Sequence, residues 1–137
     1  MKYMSKDEQA LRKIKRYKTL MLETYEIIRH LPKEVLDSHH YAAATSQYLI
    51  NLSEIVQFID NEAIEEKISY LRSGQLRKAR NIAAHDYYAI DWDMVKQVCR
   101  KISEKITDEL LDECIQMAQA ACAEVTDYRA LNEADEA

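Results

Sequence analysis

DEQALRKIKRYKTLMLETYEIIRH, residues 7–30, is the stretch that decides the fold class. Leu11, Ile14, Lys18, Met21, Tyr25 and Ile28 succeed one another at alternating steps of three and four. That rhythm places them on one face of a helix. Lys18 is the exception in an otherwise apolar face and is expected to snorkel at its edge, stem inside and ammonium in water. Pro32 disfavours helical geometry in the residue before it, so this first helix should end at or near Leu31.

Composition carries the same reading outward. The 137 residues contain one Gly (Gly74) and one Pro (Pro32). Sheets and loops use those residues as punctuation and long helices do not. A second helix is expected from Lys33, with Pro32 in its first turn, to about Ile59. Its stripe is Val35, His39, Ala42, Ser46, Leu49, Leu52, Val56 and Ile59. The small and polar members of that stripe fit either close helix packing or a wet site, and His39 and His40 are secondary site candidates.

Asp60 and Asn61 can cap a third stretch carrying Ile64, Ile68 and Leu71. A break is expected at Ser73-Gly74, after which Leu76, Ala79 and Ala83 continue the helix to about 84–87. Asp91 can cap a last helix starting near Trp92, with Val95, Val98, Ile102, Ile106, Leu110, Met117, Ala121 and Val125 on one face and a break near Thr107 as one option. The fold class is therefore all-α, a four- to five-helix up-and-down antiparallel bundle. One domain is expected over residues 1–126, with an acidic, frayed tail over 127–137.

The net charge is −5, but it is unevenly spread. Residues 1–18 hold seven Lys/Arg against two acids, a local +5, and residues 104–137 hold two against ten, a local −8. Arg72, Arg77, Lys78 and Arg80 form a further basic run. An acidic chain with basic stretches can still bind a phosphate backbone locally. The three cysteines (Cys99, Cys114, Cys122) form no CxxC or Cys/His cluster, which argues against zinc and for free thiols in a reducing compartment. No apolar run reaches membrane-spanning length, and the expected location is the cytoplasm.

The stretch richest in chemistry is Arg80-Asn81-Ile82-Ala83-Ala84-His85-Asp86-Tyr87. Asn81 and His85 are four apart and share a helix face. Arg80 and His85 are five apart, about 140° around an unbroken helix, and converge only if the helix ends between them or a partner chain supplies the second set. Arg offers a permanent charge and a planar fork suited to phosphate. His titrates near neutrality and serves as general base or acid. The same residues also fit a plain helix end, since His is favoured there by the macrodipole. Arg77 and Lys78, just upstream, are candidates for phosphate contacts.

The pattern Arg80-Asn81-x3-His85-x-Tyr87 resembles the Arg-polar-x3-His-x-Tyr motif of HEPN domains, in particular the HepT-like branch. The helical order over about residues 8–106 fits that family too. The resemblance implies a HEPN-like bundle that forms a homodimer with motifs facing each other, acting as a metal-independent ribonuclease toxin without cofactor. It implies Arg80 and His85 as catalytic, Asn81 as supporting, and Tyr87 as acceptor of AMP from an MntA-type nucleotidyltransferase antitoxin. Two alternatives stay open: a non-catalytic nucleotide- or partner-binding subunit of a nucleotidyltransferase pair, and a purely structural helical dimer.

Overall fold

The computed structural model describes residues 4–38, 40–78 and 92–136, with the backbone alone at 33, 37, 38, 40 and 123–136. Helix α1 spans Lys6–Ile28. Its N-cap is Ser5, whose Oγ accepts from the Glu8 amide at 3.1 Å. The helix closes ahead of Pro32 with Leu31 N donating to Ile28 O. Pro32 then offers its carbonyl to Val35 and Leu36 and so opens α2, Lys33–Ser38.

Helix α3 covers His40–Ile55 and tightens into a 3-10 turn, Val56–Phe58, before Ile59 goes extended. The chain is helical on both sides of residue 39, which lies outside the described residues, and the helix expected to reach Ile59 ends a few residues early. Ala42, Leu49, Leu52, Val56 and Ile59 of its stripe are buried as the spacing requires. Ser46 is buried as well, and its hydroxyl donates to Ala42 O, as that of Thr45 does to Tyr41 O. Their polarity is satisfied within the helix, so these hydroxyls do not mark a wet site.

Asn61 caps α4, Glu62–Lys67: its Oδ1 accepts from the Ala63 and Ile64 amides. A 3-10 turn, Ser69–Arg72, follows, and the chain breaks at Ser73, which is extended. Ser73 Oγ accepts from Leu76 N, and Ser73 O from Arg77 N, starting a helical turn at 74–78. The break expected at Ser73-Gly74 is therefore a capped restart. No described residue needs a positive φ there.

Helix α5, Trp92–Lys105, and α6, Asp108–Glu136, are separated at Ile106–Thr107. Thr107 Oγ1 accepts from Leu110 N and caps α6. The restart shifts the buried phase to Leu111, Cys114, Ile115 and Ala118; Leu110 and Met117 drop to half-buried and Ala121 to exposed. The α6 backbone stays helical through 127–136. That stretch holds two Ala, two Glu, one Leu and one Arg, strong helix formers whether or not a face is buried.

Helix α1 is the hub, packing on α3, α5 and α6, while α4 also rests on α6. Leu11, Ile14, Met21, Ile28, Leu49, Leu52, Ile64, Ile68, Leu76 and Ile102 are fully enclosed at the centre. Each such side chain contributes about 1.5–3 kcal/mol on leaving water. The architecture is an all-α, HEPN-like bundle built on four long helices, with no strand among the described residues.

Candidate functional site

Arg80, Asn81, His85 and Tyr87 lie outside the described residues. The structure does define how the chain enters and leaves that segment. On the entry side Leu76 is fully buried and anchors the 74–78 turn. Gln75 Oε1 stands 3.5 Å from both Lys101 Nζ on α5 and the Tyr70 hydroxyl, and Lys105 Nζ lies 5.4 Å from the centre of the Tyr70 ring. On the exit side Trp92 is buried at the start of α5. Its indole N–H has no partner among the described residues.

With Leu76 turned inward, Arg77 and Lys78 are exposed. Arg77 lines a cleft of about 360 Å³ with Ser53, Val56, Gln57, Arg72 and Ser73. Arg72 is committed to the fold: its Nη2 donates to Val56 O at 3.1 Å and pairs with Glu65 Oε1 at 2.8 Å. Arg77 has no carboxylate partner among the described residues, which leaves its guanidinium open to an outside anion. Lys78 is exposed beside this cleft but does not line it. The structure thus joins Arg77 to Arg72, a partner from across the Ser73 break whose role the spacing alone did not reveal.

A further cleft, of about 640 Å³, lies between α1 and α6, bordered by Arg12, Lys15, Arg16, Glu23 and Asp112 among others. Lys18, expected at the edge of the α1 face, is instead buried, with Nζ 3.1 Å from Asp108 Oδ1. A carboxylate at the first turn of α6 lets the ammonium stay inside. His39 and the side chain of His40 lie outside the described residues. Cys99 and Cys114 are buried and Cys122 half-buried, all as free thiols. Burial pushes the Cys99 thiol up to about 12 and also raises that of Cys114. Raised thiols are poor nucleophiles and poor metal ligands at neutral pH. Among the described residues no group of His, Cys, Asp and Glu is arranged to hold a metal, and no helix is long and apolar enough to cross a membrane.

The helical bundle is of the HEPN-like class. The family comparison agrees: the profile of the Cas_Csm6 HEPN domain matches residues 1–134. The chain belongs to this HEPN family. Membership points to ribonuclease-type function in general, and HEPN domains often act as dimers that bind RNA. No curated protein and no solved structure matches the chain.

Proposed function

We propose that the chain is a metal-independent endoribonuclease working through Arg80 and His85. The observation that carries this reading is the Arg80-x4-His85-x-Tyr87 spacing in a chain of the HEPN family, approached by the unpaired Arg77 at its cleft. His85 takes the proton of an RNA 2′-hydroxyl. The 2′-oxygen attacks the adjacent phosphorus, the bond from phosphorus to the 5′-oxygen breaks, and the leaving alkoxide takes up a proton. The products are a 2′,3′-cyclic phosphate and a free 5′-hydroxyl. Arg80 stabilises the charge that builds on the phosphoryl oxygens, and Asn81 orients His85. Arg77 and Lys78 hold the flanking phosphates. A homodimer that brings two motifs together completes the cleft.

The finer reading is a HepT-like toxin, silenced when an MntA-type nucleotidyltransferase adds AMP to Tyr87 and so puts an anion where substrate phosphate binds. The family matched is the Cas_Csm6 HEPN domain rather than a HepT-like one, so a second reading keeps the same cleavage without an antitoxin partner.

Wild-type chain and His85→Ala, incubated with RNA in excess EDTA, test the cutting step. Cleavage by wild type alone, leaving cyclic phosphate ends, is expected. Equal cleavage by both would remove His85 from the mechanism. No cleavage by a folded, unmodified dimer would turn the reading to a binding subunit. Transfer of AMP to wild type but not to Tyr87→Phe by a cognate transferase separates the two forms of control.

A further inference from the structure

The basic residues of α1 divide into two sets. Arg12, Lys15 and Lys18 are paired with Glu8, Asp112 and Asp108. Lys6, Lys13 and Arg16 are exposed and have no ion pair among the described residues. With Gln9 they stand at 6, 9, 13 and 16, the three-and-four stepping of one helix face. They line two clefts. One, of about 210 Å³, joins Lys6, Gln9 and Lys13 to Ile55 and Phe58; the other, of about 260 Å³, joins Lys13 and Arg16 to Tyr17, Asn51, Glu54 and Ile55. The clefts share Lys13 and Ile55 and so run on from one another along α1.

Phe58 stands at one end of this groove. It is the chain's one Phe, and 68 % of its surface faces water. It sits on the 3-10 turn that follows α3, which has basic ground on both sides. Val56 and Gln57 line the cleft holding Arg77, while Phe58 lines the one holding Lys6 and Lys13. The turn therefore connects the entry to the motif segment with the unpaired face of α1.

We propose that this face is a binding track for single-stranded RNA, in which Lys6, Lys13 and Arg16 take successive phosphates and Phe58 stacks a base. A groove of cations beside an exposed aromatic ring is what sequence-independent single-strand binding uses. From Lys6 to Arg16 the helix rises about 15 Å, room for about four stacked nucleotides at ~3.4 Å each. A protein partner fits less well, because protein interfaces are depleted in Lys at their centre and this groove has Lys there. Glu54 is the one carboxylate lining the two clefts, so the cations prevail locally even though the whole chain is acidic. The inference deepens the ribonuclease reading by giving the substrate a path beyond the scissile bond.

The test measures binding of a fluorescein-labelled 20-nucleotide oligouridylate by anisotropy across a salt series. Every variant is made in the His85→Ala chain so that bound RNA is not cut. Lys13→Ala with Arg16→Ala should lower the slope of log Kd against log salt by about 1.4, two phosphate contacts at ~0.7 each. Phe58→Ala should weaken binding about tenfold with little change of slope, and Phe58→Tyr should restore it. Lys67→Ala, which removes a charge from α4, should change neither. Circular dichroism confirms that each variant is folded. Unchanged RNA binding in the α1 variants, with cleavage intact in the His85-containing chain, overturns the track and leaves the ribonuclease reading standing. Weakened binding in a chain that never cuts supports the track while cleavage fails. Unchanged RNA binding with a loss of dimer in Phe58→Ala overturns it in favour of a contact between copies.

Discussion

Lys18 Nζ on α1 lies 3.1 Å from Asp108 Oδ1 at the first turn of α6. The lysine is 4 % exposed, so a charge is held inside the bundle by a carboxylate that is itself largely in water. The pair joins the hub helix to the helix that restarts at Thr107. It also explains why a lysine can occupy the middle of an otherwise apolar face.

The two halves of that pair should respond unequally to mutation. Lys18→Met removes the charge and keeps the stem, so a change within about 1.5 kcal/mol is expected, of either sign. Asp108→Ala leaves the buried ammonium without its partner and removes an acid from a helix start, which should cost about 1–3 kcal/mol. Urea unfolding of both variants checks this. A larger loss for Lys18→Met than for Asp108→Ala would show that stranding the buried ammonium is not the dominant cost.

Gly74 opens the helical turn at 74–78, and a Cβ built there meets nothing within 4 Å. Its φ is not positive, so no side chain is strained at this position. Gly74→Ala should therefore stabilise the chain by about 0.4–1 kcal/mol by reducing the freedom of the unfolded state. Ser73→Ala removes the cap on Leu76 N and should cost about 1 kcal/mol. Thermal melts of the two variants are expected to move in opposite directions.

The Cys99 thiol ionises in the folded chain at about 12, against an ordinary value of 9.0, because burial disfavours the thiolate. A raised folded value means that the folded chain holds this proton longer than the unfolded chain does. Stability is therefore unaffected by this group below about 9 and declines as pH rises from there toward 12, by up to ~1.4 kcal/mol per unit. Urea unfolding between pH 8 and 10.5 should show the decline, and Cys99→Ala should reduce its slope. At pH 8, iodoacetamide should reach Cys99 only as fast as the chain unfolds. Rapid labelling of Cys99 in the native state would mean that this part of the core opens locally.

Arg72 ties the 3-10 turn Val56–Phe58 to α4 through Val56 O and Glu65. Arg72→Met keeps the stem and loses both contacts, with an expected cost of about 1–2 kcal/mol. Glu65→Gln keeps the Arg72 bond to Val56 O and should cost less than 1 kcal/mol, since the pair is partly exposed. If Arg72→Met also weakens RNA cleavage in a chain that is still folded, the geometry of the turn matters to substrate as well as to stability.

The helical class, the apolar faces of α1 and α3, the Asn61 cap and the restart at Ser73 were all legible in residue spacing, because helix periodicity and capping are local. The sequence by itself also determined the HEPN resemblance, since Arg80, His85 and Tyr87 form a linear motif. Other features depended on which helices meet. The burial of Lys18 waited on Asp108, ninety positions away in the chain. The buried phase of α6 waited on the Thr107 cap, which turned Leu111 and Cys114 inward where an unbroken helix would have used Leu110. The partition of α1 cations into paired and unpaired sets was invisible in a basic stretch of +5, because the paired set owes its neutralisation largely to carboxylates brought by α6. Local sequence decides where helices start and which face is apolar; only the packing of one helix on another decides which charges are neutralised and which are left facing water.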